Sequence, residues 1–227
     1  MKTAMILAAG RGERLMPLTN VTPKALCEVN GIPLIEHHVS NLAKAGFTRL
    51  VINHAWLGGQ IRRHLGDGQK WGIELCYTPE PPGGLETGGG IFNALPLLGD
   101  EPFLTINADI YTDFKFNDLY LPAGSLAHWF LGQNPEHNPD GDFGLRDNQK
   151  LSHDGPLYTF LGIAVYHPKV FSTYCLGRYS VVPMVRKLIE KKQASGELLQ
   201  GLWLDIGTAE RLRYANDIVK LQADCQI

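Results

Sequence analysis

Residues 7–24 read LAAGRGERLMPLTNVTPK, and an apolar run, AMILA at 4–8, leads into them. A run of that length stopped by glycine is a buried strand followed by a tight loop. In α/β sheets ligands bind beyond the C-terminal ends of the strands, so this loop is placed to hold one. Gly10 and Gly12 let the backbone approach a ligand and turn N–H groups toward phosphate oxygens, while Arg11, Arg14 and Lys24 supply positive charge. Polyphosphate is the ligand these residues suit. The pattern is not GxxxxGK[ST], which argues against a P-loop kinase or GTPase. Leu15 stands where the dinucleotide fingerprint GxGxxG needs its third glycine.

Beyond the loop, strand and helix patterns alternate. Residues 33–45 place Leu34, Val39, Leu42 and Ala45 at near-helical spacing behind a proline suited to a first turn, and 50–53 is again strand-like. Residues 57–65 predict a short helix, 73–77 a strand, 87–98 a helix opened by glycines, and 103–106 a strand ending in Asn107-Ala108-Asp109. Short connections between such elements predict a mostly parallel sheet covered on both faces. From Ser125 the pattern changes: LAHWFL, the turn-rich QNPEHNPDGDFG and YTFLGIAVYH predict antiparallel strands beside the parallel core. Helices are expected over 181–192 and 209–221, flanking the strand-like GLWLDIG. The fold class is therefore α/β, a Rossmann-like three-layer α/β/α with a mostly parallel mixed sheet and a small antiparallel lobe. The 227 residues, 44% hydrophobic, suffice for one domain over 1–227.

Charge and composition narrow the function. With 21 Lys+Arg against 23 Asp+Glu there is no general basic field for nucleic acid or an anionic membrane, so anion binding is local. No run approaches the roughly 18 apolar residues of a membrane span, and the N-terminus lacks a signal-peptide pattern, so a cytoplasmic protein is expected. Cys27, Cys76, Cys175 and Cys225 lack CxxC or zinc spacing and are expected to be mostly buried thiols. His37-His38 lacks HExxH and is expected to pack on its helix, with Lys187, Lys191 and Lys192 on a solvated face.

LAAGRGERLMPLT and TPKAL are similar to the signature blocks of the sugar-1-phosphate nucleotidyltransferases, and the likeness continues through LETGGGI, NAD and WLDIGT. Within that family, VINHAWLG, LETGGGIFNALPLLG and TFLGIAVYHP most resemble the branch that transfers a uridylyl group to N-acetylmuramate α-1-phosphate in bacterial cell-wall recycling. The resemblance implies attack by a sugar-1-phosphate oxygen on the α-phosphorus of UTP, with Mg²⁺ as cofactor. Residues 1–110 would be mainly nucleotide-binding, and 111–227 mainly sugar-binding with the second metal aspartate. It assigns Lys24 and Arg14 to catalysis, and Asp109 and Asp205 to the metal. Ala8, Ala9, Gly10, Arg11, Gly12, Glu13, Arg14, Lys24, Glu86, Thr87, Gly88 and Asn107 fall to the nucleotide, and Asn107, Asp142 and Gly162 to the sugar phosphate.

The residues themselves leave alternatives open. A carboxylate after a strand is either a metal ligand or a turn and cap residue. Thr87 either caps its helix or bonds a base, Asp142 either holds a turn or takes a hydroxyl, and His54 and Trp56 either line the pocket or pack a loop. The family's EKP block is absent, with QNPEHNPDGD in its approximate place. Thymidylyl, guanylyl or cytidylyl transfer to a hexose or choline phosphate is the alternative chemistry, and a non-catalytic nucleotide-sugar-binding module the alternative class. The stretch after Asp205 is too short for an acyltransferase β-helix, and a monomer or small homo-oligomer is expected.

Overall fold

Side-chain alternation along the first strand divides the protein into layers. Ala4 and Ile6 face one core, with Ile35, Val39, Leu42, Ile61 and Leu65. Met5, one position out of phase, faces another, with Ile91, Ala94, Leu98, Met184 and Val185. A strand buried on both faces needs helices on both faces, and each fully buried aliphatic side chain contributes about 1.5–3 kcal/mol.

The computed structural model describes residues 1–224. Its first half comprises β1 (Thr3–Leu7), the ribbon β2 (Glu28–Val29) and β3 (Ile32–Pro33), α1 (Leu34–Lys44), β4 (Arg49–His54), α2 (Gly58–Leu65), β5 (Glu74–Pro79), α3 (Glu86–Leu98) and β6 (Phe103–Asn107). The second half comprises β7 (Ile110–Thr112), β8 (Ala127–Gly132), β9 (Phe143–Leu145), β10 (Leu151–Ser152), β11 (Leu157–Tyr166), α4 (Val182–Glu190), β12 (Ala194–Leu198), β13 (Trp203–Asp205) and α5 (Ala209–Asp224).

One nine-stranded sheet crosses both halves, with β10, β9, β11, β6, β1, β4 and β5 in order, β8 added to β11 and β12 to β8. β6, β1, β4 and β5 run parallel, and β11 pairs antiparallel with β6, Ile163 opposite Ile106. The three-layer expectation holds. The strands expected from Ser125 onward pair antiparallel, but one more, β12, joins them without being marked in the sequence and runs parallel to β8, Ala194 opposite Ala127. Its sequence, ASGEL, hides the strand behind small and charged residues. The helix expected over 181–192 ends at Glu190, because the chain turns through Lys192 at φ 58°.

A separate ribbon pairs β13 with β7, Asp205 opposite Ile110. A third apolar cluster of Leu15, Cys27, Val29, Leu34, Ile206, Ala215 and Val219 ties this ribbon and α5 to the N-terminal loop. Late sequence is thereby carried back to the loop that follows β1. Cys27 is buried and Cys76 half-buried, but Cys175 is exposed on a loop, contrary to the expected burial; Cys225 lies outside the described residues. Among the described residues no helix is long and apolar enough to cross a membrane.

Candidate active site

Where β1, β4 and β6 end, a cleft of about 900 Å³ opens. Its walls include Ala8, Ala9, Gly10, Arg11, Glu13, Lys24, Glu86, Thr87, Asn107 and Asp109 from the sequence-based set. Gly12, Arg14, Gly88, Asp142, Gly162 and Asp205 are not part of that wall.

The loop after β1 is folded by a few specific contacts. Gly12 has φ 69°, and an added Cβ would meet Lys24 Cβ and Thr19 Cγ2 at 3.0 Å each, so only glycine lets the TPK segment lie against the turn. The buried Thr19 hydroxyl donates to Gly12 O at 2.8 Å. Arg11 donates to Thr19 O at 2.7 Å and stacks over Trp56, its Cζ 4.1 Å from the ring centroid, while Trp56 Nε1 donates to the same carbonyl at 2.9 Å. Trp56 therefore lines the cleft and holds Arg11. His54 instead packs the loop, its ring against Gly58, and burial lowers its pKa, helped by nearby Arg62.

Lys24 and Asp109 form a direct ion pair, with side chains 11% and 33% exposed. An ammonium mostly withdrawn from water, with one carboxylate partner on the cleft wall, is a positive charge that an anion in the cleft can compete for.

Across the cleft, a buried polar relay sets the backbone. Asn53, 2% exposed, accepts from Ala8 N–H at 2.8 Å and donates to Glu80 Oε1 at 2.6 Å, while Glu80 Oε2 accepts from Leu85 N–H at 2.7 Å. Ala8 N–H is thus committed to Asn53. Neither Asn53 nor Glu80 is singled out by sequence, because the bond crosses from β4 to the end of β5. Gly90 is the trace the relay leaves in the sequence: a Cβ there would meet Glu80 Oε1 at 2.6 Å.

The start of α3 explains the glycines of LETGGG. Gly88 and Gly89 N–H donate to Tyr179 O at 3.0 and 3.1 Å, and a Cβ on Gly89 would collide with Gly177 O. The segment around Tyr179 caps the helix, so Thr87 does not; α3 has no side-chain cap bond. Thr87 is left on the cleft wall. The same segment delivers Arg178 to the cleft mouth, 3.3 Å from Glu86.

On the other side, Gly162 at φ 75° sits in a bulge of β11, and its missing Cβ leaves room for the Asn107 carboxamide, which would otherwise be 2.6 Å away. Gly162 thereby positions a cleft residue. Asp142 Oδ2 accepts from Phe160 N–H at 2.8 Å and from Asn138 at 3.2 Å, which makes it a clamp between loop and β11. Asp205 pairs with Arg211, and His137 Nε2 lies 3.3 Å from the same carboxylate oxygen. Arg14 is exposed, its guanidinium beside that of Arg211 at the open face of Gly207.

Asp109 and Asp205 belong to adjoining segments: Ile206 N–H donates to Asp109 O at 2.8 Å. Among the described residues there is no cluster of three or more His, Cys, Asp or Glu side chains suited to a metal. Two carboxylates, each already paired with a cation, fit a hard ion such as Mg²⁺ that takes one or two carboxylates and completes its shell with water and substrate phosphates.

Residues 3–145 match the family described as Nucleotidyl transferase, and the chain belongs to that family. It is 49% identical over 221 residues to the N-acetylmuramate alpha-1-phosphate uridylyltransferase of Neisseria meningitidis serogroup B, covering 93% of this chain and 96% of that one. Identity to the protein of that name from Caulobacter vibrioides is 31% over 227 residues, covering 91% and 92%. A solved UDP-glucose pyrophosphorylase complexed with UDP-glucose shares the fold, with a TM-score of 0.77 at 18% identity over 98% of this chain and 99% of that one.

Proposed function

We propose that the protein transfers UMP from UTP to N-acetylmuramate α-1-phosphate, releasing pyrophosphate, as a Mg²⁺-dependent step of cell-wall recycling in the cytoplasm. The observation that carries this reading is the Lys24–Asp109 pair set into a glycine-walled cleft at the ends of parallel strands. The near-full-length likeness to the Neisseria relative supports this choice of substrates.

The acceptor phosphate is already largely dianionic near neutral pH, its second pKa being about 6, and needs no strong general base. One of its oxygens forms a bond to the α-phosphorus while the bond from that phosphorus to the bridging oxygen breaks, and the electron pair leaves with pyrophosphate. The chain's task is to bring anions together and hold them in line. Lys24 passes from Asp109 to phosphate oxygens, Arg14 balances the departing pyrophosphate, and the N–H groups of Ala9 and Gly10 face the nucleotide. Thr87 and the backbone around Glu86 and Gly88 bound the base, and Asn107 lies between ribose and acceptor. Asp109 and Asp205 would hold Mg²⁺, which supplies charge neutralisation and Lewis acidity when bound.

A pyrophosphate-release panel crossing UTP, dTTP, GTP and CTP with several sugar 1-phosphates tests the assignment. Turnover is expected with UTP and N-acetylmuramate 1-phosphate. Turnover confined to a hexose 1-phosphate overturns the acceptor, and none with any pair overturns the enzyme reading in favour of a binding module.

A further inference from the structure

The loop 133–142 has no part in the transfer described above, yet it is tightly built. Asn134 donates to Pro139 O and Leu157 O, each at 3.0 Å, and accepts from the Thr159 hydroxyl at 2.9 Å. Asn138 donates to Thr159 Oγ1 at 3.1 Å, and Asp142 clamps the far end to Phe160 N–H. Both feet of the loop are therefore fixed to β11, and between them His137 is held toward Asp205.

His137 Nε2 lies 3.0 Å from Arg211 Nη1 and 3.3 Å from Asp205 Oδ2. One ring nitrogen can accept from the guanidinium or donate to the carboxylate, not both at once. The Arg211 guanidinium and the His137 imidazole therefore meet at one carboxylate oxygen, with the Arg14 guanidinium nearby at the open face of Gly207. Donors outnumber acceptors here, and a second anion would satisfy the excess. None of His137, Asp205 and Arg211 belongs to the wall of the nucleotide cleft. The loop springs from β8 and is tied to β11, on the half of the sheet away from β4, β5 and α3 that build the nucleotide side.

We propose that His137 and Arg211 form the anion-binding subsite for the acceptor sugar 1-phosphate, which docks by drawing both donors away from Asp205. This rests on the transferase reading above. Phosphate and carboxylate share the chemistry that the site selects, an oxyanion matched to a guanidinium fork and one imidazole N–H. N-acetylmuramate 1-phosphate carries both groups; N-acetylglucosamine 1-phosphate carries only the phosphate.

The test is steady-state kinetics of wild type, His137→Ala, His137→Gln and Arg211→Gln with each of these acceptors, KM being measured separately for acceptor and UTP. Thermal unfolding midpoints check that the variants fold. The acceptor KM should rise roughly tenfold or more in His137→Ala and Arg211→Gln, with the UTP KM within about twofold, as expected for loss of a charge-assisted hydrogen bond. His137→Gln, which keeps a donor, should recover part of the loss. A rise with both acceptors assigns the phosphate, and a rise confined to the muramate assigns its carboxylate. An unchanged acceptor KM, or an equal rise for UTP, overturns the subsite. If wild type turns over a different sugar 1-phosphate, the muramate assignment falls, and the same KM comparison on that sugar still decides the subsite.

Discussion

Asp109 and Asp205 stand on regions of different construction. Asp109 follows β6 in the parallel core and is paired with a lysine that is itself mostly buried, on the side of the site where Asn53 and Glu80 lock the backbone from behind. Asp205 ends a two-stranded ribbon outside the main sheet, held by the Ile206 cluster and by side chains of α5 and an extended loop. The first region is fixed by buried bonds to backbone. The second is held by charged contacts that a ligand can exchange. Substitutions in the buried relay behind the first region should therefore cost stability as well as rate, and those of His137 and Arg211 around Asp205 mainly acceptor kinetics.

The largest effect expected from a single cation is at Lys24. Lys24→Ala should lower turnover by about a hundredfold or more, read as pyrophosphate release, because a preorganised charge on the reacting phosphates is lost. Near-normal turnover would remove the distinction between the two regions. Next is Asn53→Ala, which strands Ala8 N–H and a Glu80 oxygen in a buried setting; urea unfolding should show a loss of about 2–3 kcal/mol, with a higher KM for UTP. A loss too small to measure would mean that the relay does not stiffen the nucleotide side.

A smaller effect belongs to the frame of the second half of the chain. His128 is buried on β8 beside Ser195 and Phe130, with the Glu197 carboxylate 3.9 Å away, and burial pushes its pKa down to about 4. Between an unfolded value near 6.5 and that folded value the unfolded chain binds the extra proton, so stability falls as pH falls through this window and is regained above it. From pH 7.5 to 5 this histidine should cost about 2 kcal/mol in urea unfolding, and His128→Asn should flatten that dependence. An equal acid slope in the variant would contradict the assignment. The smallest effect is at Trp56. Trp56→Ala removes the stacking under Arg11 and one bond to Thr19 O, about 1 kcal/mol, seen as a several-fold rise in the UTP KM. No change would show that Arg11 needs no such support.

The same contrast governs what the sequence reveals. The loop after β1 is legible because its glycines, cations and the strand before it lie within about two dozen residues, and the hydrophobic alternation around it marks both faces of the sheet. The triple glycine of α3 is visible, but its cause, the Gly177–Tyr179 backbone, lies some ninety residues away. That distance also conceals that Thr87 is not the cap. Asn53 and Glu80 meet only because β4 and β5 are neighbours, and His137 reaches Asp205 only through an irregular loop with no periodicity to read. β12 is masked by its own composition, since the β8 edge that recruits it is a tertiary fact.

Asp109 and Asp205 come from opposite halves of the chain, and the proposed reaction needs both. Asp109→Asn and Asp205→Asn should each reduce pyrophosphate release from UTP and N-acetylmuramate 1-phosphate by about a hundredfold or more at saturating Mg²⁺, with circular dichroism and unfolding midpoints near wild type. Wild-type turnover in either folded variant would contradict it.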